Sequence, residues 1–359
     1  MLQFIVKRLF YGFLVLLGVI TVVFLLFNVL PGDPARMMLG QRADITSIEA
    51  INRDLGRDKS LTAQYFNYLN DLSVLSIHNV TDPGNYFYLD STKYTSAIKL
   101  IHIGNNALVL KTPYLRRSYQ SKRMVTEIIT EAFPKTALLA GISMLFAFII
   151  GVTVGVFAAI KKDGFFDRIS LLLSAFGMSL PSFFAAILIA WFFAYVLSAY
   201  TGLSMFGSMY TIDDFGNGEH LDLKNLILPA FTLGIRPLAV IVKLTRSSML
   251  DVLSQDFIRT AKAKGLSSWN IITRHALKNA MNPVITAVSG WLASLMAGAV
   301  FVEYVFDWKG VGVVIVDALE KYDFPVVMGV LLFISIILVI INIFVDVLYG
   351  FIDPRVRLS

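Results

Sequence analysis

Residues 136–160 read TALLAGISMLFAFIIGVTVGVFAAI, twenty-five residues without one Asp, Glu, Lys or Arg. As an α-helix, such a run rises about 1.5 Å per residue and is long enough to cross a hydrocarbon layer of ~30 Å. Five more apolar runs flank it, at 9–30, 169–197, 226–242, 284–302 and 326–349. Each is expected to be helical, because backbone polar groups in lipid must be satisfied within their own segment. The run at 226–242 is the shortest and carries Pro229, Arg236 and Pro237. The expected class is an all-α integral membrane protein with six transmembrane helices.

Composition agrees with this. Of 359 residues, 56% are hydrophobic and 16% charged, against roughly 25% charged in an ordinary soluble domain. The mean hydropathy is +0.69. The first run follows Lys7 and Arg8 and leads into Pro31-Gly32-Asp33-Pro34 instead of a small-residue cleavage site. It therefore reads as a retained helix and not as a secretory signal.

Basic residues orient the chain, since short cytoplasmic loops are enriched in them. Lys7 and Arg8 precede the first helix, and Lys161, Lys162 and Arg168 join the second and third. Lys243, Arg246, Arg259, Lys262, Lys264, Arg274 and Lys278 join the fourth and fifth; Arg355 and Arg357 follow the sixth. These segments and both termini are expected in the cytoplasm. The segments holding Asp213, Asp214, Glu219, Asp222, Glu303, Asp307, Asp317, Glu320 and Asp323 are expected outside. The long segment 31–135 is mixed in charge, but loops of that length are largely exempt from the rule.

Candidate chemistry is sparse. The chain lacks cysteine, and His78, His102, His220 and His275 show no metal-ligand spacing. Neither a phosphate-binding G-x-x-x-x-G-K-[ST] loop nor H-E-x-x-H nor G-x-S-x-G occurs. No catalytic residue, metal site or nucleic-acid partner is expected. Arg236 and Asp346 are the ionisable exceptions inside the apolar runs, and both lie toward helix ends, where snorkelling or interhelical pairing accounts for them.

The connection 243–282 carries more. Asp256-Phe257-Ile258-Arg259-Thr260-Ala261-Lys262-Ala263-Lys264-Gly265-Leu266 reads as a short helix, with Asp256 at its amino end and Gly265 as its stop. Phe257, Ile258 and Ala261 form a small apolar side, while Arg259, Lys262 and Lys264 stay solvated. A second basic helix is expected at 268–280, capped by Ser267 or Ser268. A helix–Gly–helix pair of this kind needs a partner for its apolar side. Charge alone equally allows an anchor on anionic lipid.

This loop, with Ser248-Met249-Leu250-Asp251-Val252-Leu253 before it and Arg274-His275-Ala276-Leu277-Lys278-Asn279-Ala280 after it, resembles the cytoplasmic signature of permease subunits of the oligopeptide and dipeptide class of ABC importers. Leu30-Pro31-Gly32-Asp33-Pro34, Phe133-Pro134-Lys135-Thr136, Ser179-Leu180-Pro181-Ser182-Phe183, residues 303–312 (EYVFDWKGVG) and Asp353-Pro354-Arg355-Val356-Arg357 resemble the same class in the same order. The resemblance implies the type I importer permease fold. It divides the chain into a first transmembrane helix (1–30), an external loop (31–135), a five-helix core (136–349) with an ATPase-docking loop (243–282), and a cytoplasmic tail (350–359). Two departures stand out. Arg259-Thr260-Ala261 replaces the Glu-Ala-Ala of the older loop consensus, and residues 74–117 are inserted into the external loop. Asn85 to Leu89, Ser96 to Ile103 and Ala107 to Lys111 suggest a small β-containing element there, either a decoration or a contact for the binding protein.

The resemblance further implies a bacterial cell-membrane location, with a second homologous permease, two ABC ATPases that bind ATP and Mg, an external substrate-binding protein and the lipid bilayer as partners. The chain itself needs no cofactor. Asp256, Arg259, Thr260, Ala261 and Gly265 are the expected docking and coupling residues. Glu303, Phe306, Trp308 and Gly310 are expected to gate the outside or touch the binding protein, although an interfacial aromatic anchor with a glycine turn fits the same stretch. Di- or oligopeptide import is the implied function, with nickel chelate, glutathione or a peptide antibiotic as alternatives inside the class. A proton-coupled carrier is disfavoured by the scarcity of ionisable groups in the helices.

Overall fold

A computed structural model describes residues 2–29, 59–91, 93–94, 96–212 and 219–352. The stretches expected at 30–34 and 353–357, and positions Asp213 and Asp214, lie outside the described residues. Among the described residues, four helices are long and apolar enough to cross a membrane, and two bent helix pairs, each counted as one span, raise the number to six. The four are α1 (Leu2–Val29), α3 (Val125–Ile160), α6 (Ile227–Leu253) and α11 (Phe324–Ile352).

The third expected span is broken. α4 (Phe165–Ser179) stops before Pro181, and α5 (Ser182–Ile189) departs from it at 110°, continuing as a π-helical stretch, Ala190–Val196. Pro181 supplies no N–H for a continuing ladder and pushes Leu180 into extended backbone (ψ 127°). The fifth span is also bent: α8 (Leu277–Gly298) meets α9 (Val300–Phe306) at 57°. α3 begins at Val125, well before the expected residue 136, and carries Pro134 within it.

The chain divides into two compact units, one of 1–11, 132–313 and 336–359, the other of 12–131 and 314–335. In the first, α6 is central and packs against α4, α5, α8 and α9. Its two prolines are tolerated because Pro229 sits in the first turn and Pro237 is buried among neighbours. Gly155 lets α3 approach it closely: a Cβ there would lie 2.6 Å from Thr245 Cβ and 2.8 Å from the Val242 carbonyl. Small residues permit such contact where water gives helices no drive to associate. At the end of α6, Arg246 grips Asp167 of α4 through Nε (2.5 Å) and Nη2 (2.6 Å), with the carboxylate almost fully enclosed. Asp346 pairs with Arg8 at 3.1 Å, as interhelical pairing predicted.

The second unit holds α2 (Leu61–Leu72) and the inserted element. Ser60 caps α2, and Tyr65 and Tyr68 pack on Phe24 of α1 with ring centroids 5.1 and 5.8 Å apart. The insertion is a three-stranded antiparallel sheet of order β1-β3-β2, from β1 (Leu75–Asn79), β2 (Ile98–Ile103) and β3 (Asn106–Leu110). β2 and β3 form a hairpin around Gly104, whose φ of 60° suits glycine. Asn85 to Leu89 is not a strand. It is a turn region with a single bridge from Tyr88 to Asn79, and its place in the sheet is taken by 75–79.

Asp71 joins helix to sheet: its carboxylate accepts from the Tyr94 hydroxyl (2.6 Å), and its carbonyl accepts from Lys111 Nζ (2.6 Å). His78 is buried alongside. The Phe87 carbonyl can only accept, so Nδ1 carries the proton (3.2 Å), and Nε2 accepts from Ser76 (3.1 Å). Burial, and then the Lys111 charge, push His78 down to about 4. An unfolded histidine titrates near 6.5. Between these values the unfolded chain binds a proton that the fold refuses, so stability is full above pH 6.5 and is lost as pH falls toward 4. Hydrogen-exchange protection factors of residues 75–79 are expected to drop between pH 7 and 5, and His78→Gln is expected to flatten that dependence; equal protection at both pH values in the wild type would contradict it.

Candidate ATPase-docking loop and external loop

At the end of α6 the chain turns at Ser254 and Gln255 into α7 (Asp256–Ala263). Asp256 sits in its first turn, where a carboxylate opposes the helix dipole, and pairs with Arg259 at 3.2 Å. Both side chains are open to water. The Thr260 hydroxyl donates to the Asp256 carbonyl at 3.1 Å. The helix ends in a Schellman arrangement: Gly265 N–H donates to the Lys262 carbonyl and Leu266 N–H to the Ala261 carbonyl, with Gly265 at φ 76°. Ser267 caps the next helical turn, its hydroxyl accepting from Asn270 N–H. The expected separate second helix at 268–280 is not separate. A turn at Ser268–Asn270 and a π-helical stretch, Ile271–Ala276, run straight into α8, because nothing after Ser267 breaks the ladder.

The apolar side of α7 also differs from expectation. Ile258 and Ala261 are buried against Ala159, Met249, Val252, Ile271, Ala276 and Ala280 of the same chain, whereas Phe257 is exposed. The loop is thus fastened from below. It presents Phe257, Leu266 and Trp269 outward among Asp256, Arg259, Lys262 and Lys264. Trp269 is not among the expected docking residues, although a tryptophan next to a serine cap on a basic loop signals it.

The stretch 303–312 folds inward. Glu303, Phe306 and Trp308 are buried, so their side chains offer no surface to a binding protein and no interfacial anchor in this conformation. After α9, Asp307 takes a left-handed turn (φ 54°), and Trp308 N–H returns to the Glu303 carbonyl at 2.8 Å. Trp308 Nε1 donates to the Lys135 carbonyl at 3.0 Å. The Glu303 carboxylate accepts from the Thr136 hydroxyl and from Gly312 N–H, both at 2.6 Å. Thr136 in turn accepts from Val311 N–H at 2.8 Å. The carboxylate thus sits at the N-terminus of α10 (Val311–Glu320), where free N–H groups and the dipole favour an anion. Gly310 is required beneath it, since a Cβ there would meet the carboxylate at 2.5 Å. Two distant stretches, 133–136 and 303–312, are therefore one structure.

Residues 151–358 match the model of the binding-protein-dependent transport system inner membrane component, and residues 1–85 match the N-terminal model of such membrane components. The chain belongs to the binding-protein-dependent transport system inner membrane component family. The β2–β3 hairpin falls between the two matched stretches of this permease. Among its relatives, the dipeptide transport system permease DppB of Alkalihalophilus pseudofirmus is 33% identical over 99% of this chain and 100% of its own length. The Escherichia coli K12 protein of the same name is 32% identical over 99% of both. The glutathione transport system permease GsiC of Pectobacterium atrosepticum is 34% identical over 99% of both. Among solved structures, an inward-facing form of the methionine ABC transporter MetNI aligns with a TM-score of 0.51 at 16% identity, over 64% of this chain and 97% of that one. That likeness establishes the type I importer permease fold. The protein is a multi-pass membrane permease.

Proposed function

We propose that this chain moves short peptides inward as one permease of an ATP-driven importer, beside a second homologous permease, two ATPases and an external binding protein, with both termini in the cytoplasm. The observation that carries the reading is the exposed loop around α7, fastened by Ile258 and Ala261, which displays Asp256, Phe257, Arg259 and Thr260 ahead of its glycine-closed stop and Trp269 just beyond it. A helix so mounted is suited to fill a groove on a soluble partner and to pass the partner's motion to α6 and α8, between which it is strung. ATP is bound and hydrolysed by that partner, and this chain contributes no nucleotide site. Relatives named for dipeptides and for glutathione share a short peptide as cargo, which supports the substrate class. On the other side, the buried Glu303–Thr136 clasp fits a gate element that moves as a unit.

Reconstitution tests this: peptide-dependent ATP hydrolysis is expected only when ATPase and permease subunits are combined, and ATP turnover by this chain alone would refute the assignment. Topology is tested in the same preparation. A cysteine at Ser267 is expected to react only from the cytoplasm and one at His102 only from outside; the reverse pattern would invert the chain.

A further inference from the structure

The inserted sheet is inside out. Its register places Leu75 and Ile77 of β1, Leu108 and Leu110 of β3, and Ile98, Ile101 and Ile103 of β2 on one face, with Asn79 and Asn106 at its hairpin end. Except for the half-buried Leu108, the aliphatic side chains are between 37% and 68% exposed, and no residue of the face is charged. The opposite face carries Ser76, His78, Ala107 and Val109, all buried, and at its β2 margin Lys99 and His102, both open to water. Leu100, at the irregularity between Lys99 and Ile101, is exposed as well. A contiguous aliphatic patch of this kind marks a contact surface when it occurs on a folded protein.

The mounting of the sheet decides what covers this patch. α2 lies along Val19, Ile20, Val23, Phe24 and Phe27, the last turns of a span that runs Val6–Asn28, and Thr21 shares a hydrogen bond of 2.6 Å with Tyr65. At about 1.5 Å per residue, α2 therefore reaches roughly 10 Å below the end of that span. It exposes Leu61 and Phe66 at this depth. Only Ser73 and Val74 separate α2 from β1. The sheet cannot swing away, because Asn70 bonds both the N–H and the carbonyl of Ile77 (3.1 Å each) and Lys111 bonds the carbonyls of Asp71 and Ser73.

We infer that the inserted element is seated on the outer leaflet of the bilayer, with the Leu75, Ile77, Ile98, Ile101, Ile103 and Leu110 face in the acyl–headgroup boundary. Amphipathic surfaces of this make-up bury their apolar side several Å into that boundary. A soluble partner fits less well, because whenever it is unbound it would return an uncharged aliphatic face and a strand edge to water, the combination that promotes edge-to-edge aggregation. A lipid surface is always present. This seat rests on the topology proposed above, in which the end of α1 at Asn28 is external.

The test uses the assembled transporter in vesicles of phosphatidylethanolamine and phosphatidylglycerol, with single cysteines at Ile77, Ile101 and His102 carrying a small environment-sensitive fluorophore. Probes at Ile77 and Ile101 are expected to lose most of their emission when the acyl chains are brominated, and to resist an aqueous quencher. The His102 probe is expected to behave oppositely. Two results would overturn the inference: aqueous quenching at Ile77 and Ile101 that ceases only when binding protein is added, or protection from the aqueous quencher without quenching by brominated lipid, which would mean a protein partner. A cysteine at Ser267 in the same vesicles reports the topology separately; if it labels from outside, the orientation has failed and the seat with it, whereas correct labelling isolates the seat.

Discussion

Gly265→Val is expected to reach the membrane at normal abundance and yet to lose coupled uptake. The residue closes α7 at φ 76°, and nothing lies within 4 Å of where a Cβ would be placed, so space is not what demands glycine there. Conformation is. A left-handed backbone costs an L-residue roughly 1–2 kcal/mol, more for a β-branched one. That strain is too small to unfold the spans, but it is relieved by opening the Leu266-to-Ala261 and Gly265-to-Lys262 bonds, which re-aims Leu266, Ser267 and Trp269. The ATPase should then co-purify weakly or hydrolyse ATP without import. Arg259→Ala removes only an exposed pair to Asp256 and should be milder. Wild-type uptake by Gly265→Val, at matched abundance, would leave the loop as a lipid anchor and remove Asp256, Arg259, Thr260, Ala261 and Gly265 from the coupling role.

Glu303→Ala carries the second large effect, this time on stability. It removes the acceptor for the Thr136 hydroxyl and for Gly312 N–H in a site closed to water. A buried donor left unsatisfied costs about 1–3 kcal/mol, so two of them plus the vacated volume amount to several kcal/mol. The purified permease should melt at a clearly lower temperature, with exchange protection lost first at the start of α10. Thr136→Val deletes one donor but strands Val311 N–H, and should fall between the two. An unchanged melting temperature for Glu303→Ala would mean that the carboxylate does not hold the loop of residues 303–312.

Legibility in the sequence tracks the range of each interaction. The six apolar runs are legible because each is a local property of about twenty residues, and the α7 stop is legible because Gly265 acts on its own backbone. The bend at Pro181 is not, since proline inside an apolar run is compatible with either a kinked or a broken span, and its neighbours decide. Glu303 looks like one more external acid. Its burial depends on Thr136, 167 positions away, and no spacing rule links the two. The strand at 75–79 is hidden and one at 85–89 suggested, because Asn85-Tyr86-Phe87-Tyr88-Leu89 has strand composition while Asp82 and Asn85 bend it into turns. Likewise the spacing of Phe257 places it on the covered side of α7, and only the underlying core shows that Ile258 and Ala261 fill it.

The grip of Arg246 on Asp167 carries a consequence for how the loop answers to salt. Mobile ions screen exposed charges beyond about 10 Å at 0.1 M and about 3 Å at 1 M, but they reach an enclosed pair poorly. Arg246 lies two turns before the end of α6, and its partner opens α4, so the mount of the loop is joined by a bidentate ion pair with an enclosed carboxylate, which electrolyte weakens less than it weakens open charges. Asp256, Arg259, Lys262 and Lys264 stand in the open and feel the full ionic strength. The surface that meets a partner is thus weakened by concentrated salt more than the arm beneath it, so that grip and leverage become separately adjustable properties of one short stretch of chain.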